Sequence, residues 1–154
     1  MKTLLAAGVL TVAGSVAAAQ DFYVGGALDY AYPHSGDTQT AGSLIAGVDV
    51  GYGQYGYGGE VEFGTHLAGG GDFDTRRLRA FGSYDLGAIS VRAAGGLTAY
   101  ERPNETESGY NLGIGVQNDV GQHLSLRAEF IRDFMDEGET AAVTTTRIAA
   151  FYRF

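Results

Sequence analysis

Alternation with a period of two runs through the chain from Phe22 onward, and few folds can accommodate it. In the run 57–67, Val61, Phe63, Thr65 and Leu67 alternate with Glu60, Glu62, Gly64 and His66. In the run 89–100, Ile89, Val91, Ala93, Gly95, Leu97 and Ala99 alternate with Ser90, Arg92, Ala94, Gly96, Thr98 and Tyr100. Successive side chains of a strand point to opposite faces, so each such run is a strand with one apolar face. A helix would repeat its apolar residues at three- and four-residue spacing. The 25 glycines also count against helices, because glycine costs a helix more than any residue but proline.

Turn signals divide the chain into eight runs, near 21–32, 42–52, 57–67, 75–86, 89–100, 109–118, 123–133 and 143–154. The connections near 53–56, 87–88 and 119–122 are short. Those near 33–41, 68–74, 101–108 and 134–142 are longer and mostly acidic. Short and long connections alternate, so they fall on opposite ends of an up-and-down antiparallel meander. Closing the meander into a barrel removes both sheet edges. The reading is all-β: an eight-stranded antiparallel up-and-down barrel with strands long enough for a tilted bilayer crossing.

The two faces differ in kind. One carries Phe22, Val24 and Leu28, then Leu44, Val48 and Val50, Val61 and Phe63, Leu97, Leu112, Ile114 and Val116, Leu126 and Phe130, and Ile148, Tyr152 and Phe154. Only Arg76 places a charge on it, and Tyr and Phe gather toward the strand ends, as girdles at a membrane interface would. The other face combines small residues (Gly25, Ala27, Gly47, Gly51, Gly64, Gly96, Gly113, Gly115) with charges. A solvated outer wall has no need of so many glycines, whereas the lumen of a narrow barrel does.

The charges on that face balance. Asp29, Asp49, Glu60, Glu62, Asp85 and Glu129 match Arg77, Arg79, Arg92, Arg127, Arg147 and Arg153 one for one. The chain as a whole has a net charge of −8, so its excess acid lies elsewhere. Charges sharing a confined space need partners, because an isolated buried ion costs several kcal/mol. Centring the second long loop on Gly70-Gly71 sets Glu62 opposite Arg79. Centring the fourth on Gly138 sets Glu129 opposite Arg147. The only lysine is Lys2, in keeping with a lumen that uses the bidentate fork of arginine.

The N-terminus reads as an address. Lys2, an apolar run from Leu4 to Val12 and Ala17-Ala18-Ala19 form a secretory signal peptide over 1–19. The mature barrel domain is then 20–154, and none of its segments is apolar for long enough to be a transmembrane helix. The acidic balance disfavours nucleic acid. With no Cys and three scattered His, neither a metal centre nor a cofactor is expected.

The stretch from Leu112 through Gly113-Ile114-Gly115-Val116 to Leu124-Ser125-Leu126-Arg127-Ala128-Glu129-Phe130 resembles the penultimate hairpin of small bacterial outer-membrane barrels. These are the opacity-protein and porin-family barrels, related to the barrel of outer-membrane protein A. The end, with Ile148, Ala150, Tyr152 and Phe154 in alternation, looks like that family's C-terminal strand. The resemblance implies export to the outer membrane and recognition of that strand by the outer-membrane assembly machinery. It also implies a monomer surrounded by outer-membrane lipid and lipopolysaccharide. The expected mature chain has no peptidoglycan-binding domain, so that anchoring role is not carried over.

Catalysis is weighed and set aside. His123 and Ser125, with Glu137, resemble the His-x-Ser and Glu set of lipid A deacylases, but Leu126 stands where that family has Asn. His123 and Ser125 follow a short turn, while Glu137 lies in a long loop at the far end, roughly 30 Å away by the strand rise. The acids of the long loops, Asp37, Asp72, Asp74, Glu101, Glu105, Glu107, Asp136, Glu137 and Glu139, are read as solvated, the alternative being that their oxygens share divalent cations with anionic lipopolysaccharide. The resulting expectation is an outer-membrane barrel with a side-chain-filled lumen and a structural or adhesive role, not a diffusion pore and not an enzyme. The rival is a soluble periplasmic barrel binding a small apolar ligand.

Overall fold

The computed structural model describes residues 19–34, 36–70, 73–102, 105–135 and 142–154. Of the expected signal peptide only Ala19 falls within them. Gly71, Asp72, Asn104, Asp136, Glu137, Gly138 and Glu139 also lie outside the described residues.

Eight strands follow one another: β1 (Ala19–Pro33), β2 (Gln39–Tyr52), β3 (Tyr55–Gly69), β4 (Asp74–Asp85), β5 (Ser90–Arg102), β6 (Glu105–Val120), β7 (Leu124–Met135) and β8 (Ala142–Arg153). Each pairs antiparallel with its neighbours in sequence, and β8 returns to β1, closing the barrel. No helix occurs among the described residues. The three short connections each turn on a glycine of positive φ, namely Gly53, Gly87 and Gly121, a conformation that costs other residues dearly.

Two expectations about connections are corrected. The ladder between β5 and β6 continues to Arg102↔Glu105, so the connection expected over 101–108 is mostly paired strand. Between β3 and β4 the register sets Glu62 opposite Arg77 and Glu60 opposite Arg79, not Glu62 opposite Arg79. The turn centres between Gly69 and Gly70, where Gly69 takes φ 108°. Moving a loop centre by one residue moves the register by two, which changes partners and preserves faces.

The outer wall is apolar across its middle; the expectation of a single outward charge is corrected, since Arg132 on β7 also points outward, as Arg76 does. Leu44 is 70% exposed and Ile148 69%. Aromatic residues ring both ends: Tyr55, Tyr84, Tyr152 and Phe154 on the short-turn side, Tyr30, Tyr32, Tyr110 and Phe134 on the long-loop side. Apolar outside and charged inside is the arrangement of a transmembrane barrel and the reverse of what a soluble barrel for apolar ligands requires.

The inner wall explains the glycines. A Cβ built on Gly25 would stand 2.2 Å from the Ala150 carbonyl oxygen and 2.5 Å from the Phe151 ring. One built on Gly26, which points outward, meets nothing closer than 3.8 Å. Gly25→Ala is therefore expected to destabilise the barrel by about 1–3 kcal/mol through overpacking. Gly26→Ala, one residue away, should be neutral or slightly stabilising. Urea unfolding of the two variants in lipid vesicles checks this, and equal losses would contradict the face assignment.

Candidate functional site

Among the described residues, the buried charged side chains converge in the lumen. Alternation along β1, β3, β4, β5, β7 and β8 turns these side chains inward, and closure brings opposite walls within bonding distance. Asp29, Glu60, Glu62, Glu129 and Asp133 are all buried, as are Arg77, Arg79, Arg92, Arg127 and Arg147.

Three acceptor centres organise them. Glu60 receives Arg92 at 2.7 Å, Arg127 at 2.9 Å, Arg79 at 3.2 Å and the Tyr23 hydroxyl at 2.9 Å. Asp133 receives Arg77 through Nε at 3.0 Å and Nη2 at 2.7 Å, and the hydroxyls of Thr98 and Tyr100 at 2.7 Å each. Asp29 receives Arg147 through Nε at 2.6 Å and Nη2 at 2.7 Å, and the Ser43 hydroxyl at 2.6 Å. Glu62 links the latter two centres, accepting from both Arg77 and Arg147. Arg79 forks onto Glu129 at 2.6 and 3.1 Å and donates Nε–H to Asn111 at 3.0 Å. Each buried guanidinium thus has a carboxylate, which offsets a desolvation penalty of several kcal/mol per ion.

Nearer the short turns the charges meet rings. The Arg92 guanidinium lies 3.2 Å from the Phe81 ring centre, and that of Arg127 lies 4.2 Å from that of Phe151. Below this layer a polar vestibule of about 220 Å³ opens among Asp21, Asp49, Asp85, Gln117, Asp119 and Arg153. At the long-loop end Ala31, Phe73, Tyr100, Met135 and Val143 form a buried apolar cluster across the barrel.

Not every expected member of the charge network belongs to it. Asp85 is exposed and accepts the Gly87 backbone N–H at 2.7 Å, because the strand ends there and turns. Asp49 is only half-buried, at the vestibule. Arg153 sits at the rim and bridges Asp21 and Asp119, at 2.6 Å each. Conversely, Asp133 and Asn111 are central and were not anticipated. Asp133 continues the row Arg127, Glu129, Ile131 but is the last residue of the expected strand 123–133, and Asn111 continues Gly113 and Gly115 but carries no charge.

Glu129 does stand opposite Arg147 in the β7–β8 register. Their charged atoms are 4.0 Å apart, whereas Arg79 reaches Glu129 from across the lumen. A double-mutant cycle should accordingly give Arg79 and Glu129 a coupling of about 1.5–3 kcal/mol, and Arg147 and Glu129 less than about 0.5 kcal/mol. The reverse order would show that strand neighbours, not cross-lumen partners, hold the network.

Elsewhere, His123 Nδ1 lies 3.0 Å from the Arg153 carbonyl oxygen, and its ring stacks on Tyr152. Ser125 donates to Asp119 at 2.6 Å. Among the loop acids, Glu107 is buried and pairs with Arg102 at 2.5 Å, and Glu101 pairs with Arg76 at 2.8 Å. No cluster of metal-ligating side chains occurs among the described residues. Along the final strand, Ile148, Ala150, Tyr152 and Phe154 all point outward. The Phe154 N–H bonds the Phe22 carbonyl at 2.9 Å.

No family model matches the chain, and no curated protein does. Solved structures do match. Neisserial surface protein A aligns at 12% identity over 90% of this chain and 100% of its own, with a TM-score of 0.62. Ail, the attachment invasion locus protein of Yersinia pestis, aligns at 14% identity over 88% and 97%, with a TM-score of 0.60. The N-terminal β-barrel domain of OprF from Pseudomonas aeruginosa aligns at 11% identity over 86% and 97%, with a TM-score of 0.54. The fold is that of small eight-stranded outer-membrane barrels.

Proposed function

We propose that this chain is an integral protein of the bacterial outer membrane whose lumen is packed shut, and that it serves a structural or adhesive role at the cell surface. The observation that carries this reading is the lumen itself. Eleven buried charged side chains among the described residues, their hydroxyl partners and the rings of Tyr23, Phe81 and Phe151 occupy an interior that eight strands make only wide enough for side chains. The function then lies in the exposed ends and the lipid-facing wall. The attachment and invasion in the name of the Yersinia protein are that protein's own, and they make surface adhesion the first activity to assay.

The protein acts as a monomer, surrounded by outer-membrane lipid and lipopolysaccharide. It reaches the membrane after export on a cleaved signal peptide. The outward row Ile148, Ala150, Tyr152 and Phe154 is the segment the assembly machinery reads. It uses no cofactor and performs no catalysis; His123 and Ser125 are occupied with the Arg153 carbonyl and Asp119.

Fractionation and conductance test the reading together. The protein should remain in the sarkosyl-insoluble outer membrane, and in planar bilayers its unit conductance should lie far below that of a general porin. Large, stable ohmic steps would show an open lumen. Recovery in the soluble periplasm would return the chain to the soluble-barrel alternative.

A further inference from the structure

Small residues interrupt the large side chains of the outer wall in several places, among them Gly59, Ala80 and Gly95 side by side on β3, β4 and β5, and along one line the gap deepens into a cavity. Following the ladder from strand to strand, Leu126 stands beside Ala150, Ala150 beside Gly26, Gly26 beside Leu44, Leu44 beside Phe63 and Phe63 beside Arg76. Gly26, Ala150 and Gly42 of the adjoining row form a low floor, and Leu28, Leu44, Phe63 and Ile148 rise around it. The result is an open trough of about 830 Å³ on the outer face of the barrel. In a membrane such a space is filled by hydrocarbon or by protein, since its lining otherwise loses contacts.

Its dimensions and its upper end favour hydrocarbon. Five strand-to-strand steps of ~4.8 Å make the row ~24 Å long. Strands of an eight-stranded barrel tilt by ~40°, and the row runs across them, so it climbs ~15 Å along the membrane normal. That is one leaflet's share of a hydrocarbon core ~30 Å thick. Leu126 is near the short-turn end of β7, and Arg76 near the long-loop end of β4, so the climb is toward the long-loop side. There the trough ends on Arg76, 58% of whose side chain is exposed and which gives Nη2 to Glu101 at 2.8 Å.

We propose that the trough seats an acyl chain of a lipid A-type glycolipid of the outer leaflet, with the Arg76 guanidinium bonding its phosphate. The proposal rests on the outer-membrane reading above. An exposed guanidinium matches phosphate in shape and charge. Asp74 and Glu101 flank Arg76, so a phosphate accompanied by divalent cations suits this lip better than a bare phospholipid anion, hard cations being held by oxygen ligands.

The test uses the full barrel refolded in detergent, titrated with lipid A and Mg²⁺ and read by native mass spectrometry. Gly26→Leu fills the floor without a clash, since a Cβ there meets nothing within 3.8 Å. Gly82→Leu is the control, outward-facing on β4 away from the trough, with its nearest contact at 4.0 Å. The wild-type protein and Gly82→Leu should retain one lipid A molecule. Gly26→Leu should lower retention at least tenfold, and Arg76→Gln severalfold, with Arg76→Lys recovering part. The heat-shifted gel mobility of a folded barrel confirms that each variant is intact. Equal retention by Gly26→Leu and Gly82→Leu overturns the proposal, as does equal retention of phosphatidylglycerol. So does a dimer that Gly26→Leu abolishes, which would make a second copy the occupant. A wild-type chain that fails to enter bilayers overturns the outer-membrane reading as well; one that enters but ignores the trough variants overturns this proposal alone.

Discussion

Ile114→Arg should nearly abolish folded yield in lipid vesicles, while Gln117→Arg should leave most of it. Both residues lie on β6, three positions apart. Ile114 is 60% exposed, between Ala93 and Phe130 in the ladder, on the apolar mid-wall. An arginine at bilayer mid-depth costs about 2–4 kcal/mol, a large share of the ~5–15 kcal/mol that holds a typical domain together. Gln117 has the opposite parity. It lines the vestibule with Asp49, Asp85 and Asp119, where a new cation finds acids and water. It also accepts from Arg127 Nε at 3.1 Å, so a modest loss is expected there. The measurement is the fraction showing folded gel mobility at increasing urea. Equal yields would reverse the assignment of inside and outside.

The second large effect is expected at Glu60→Gln. Among the described residues this carboxylate is the sole acid bonded to Arg92 and to Arg127, and it shares Arg79 with Glu129. Neutralising it leaves two buried guanidinium groups without a bonded carboxylate. Breaking a buried pair in this way costs about 3–5 kcal/mol. Asp49→Asn, at the half-buried vestibule, should cost less than about 1 kcal/mol. Urea midpoints of the two variants in the same vesicles make the comparison. A Glu60→Gln barrel as stable as the wild-type protein would mean that water or ions reach Arg92 and Arg127, and that the lumen is wetter than its packing implies.

Much of the architecture was legible in the residues because strand parity is local. Whether a side chain points in or out depends only on its neighbours at one and two positions, so the inward placing of Tyr23, Ile45, Phe81 and Phe151 needed no knowledge of partners. Strand number followed from turn residues, and the three short turns do pivot on glycines. Strand ends were less legible. A ladder stops where pairing stops, and residues such as Glu105 and Glu107 read as acidic loop although they extend β6. The same difficulty hid Asp133, which lies near a strand end in sequence and at the centre of the network in space; Asn111 lies well inside β6 but carries no charge to mark it.

By itself, then, the sequence determined an all-β meander of eight strands, the face of most lumen charges, and a wall made for lipid. The tertiary structure decided which charge meets which. Arg147 lies opposite Glu129 across one seam and opposite Asp29 across the seam that closes the barrel, and it bonds Asp29 together with Glu62. Arg77 and Arg79 on β4 find Asp133 and Glu129 on β7, the far wall. Such pairings depend on closure, on strand tilt and on the one-residue position of a turn. These set the height at which each side chain enters the lumen, and no period of two carries that height.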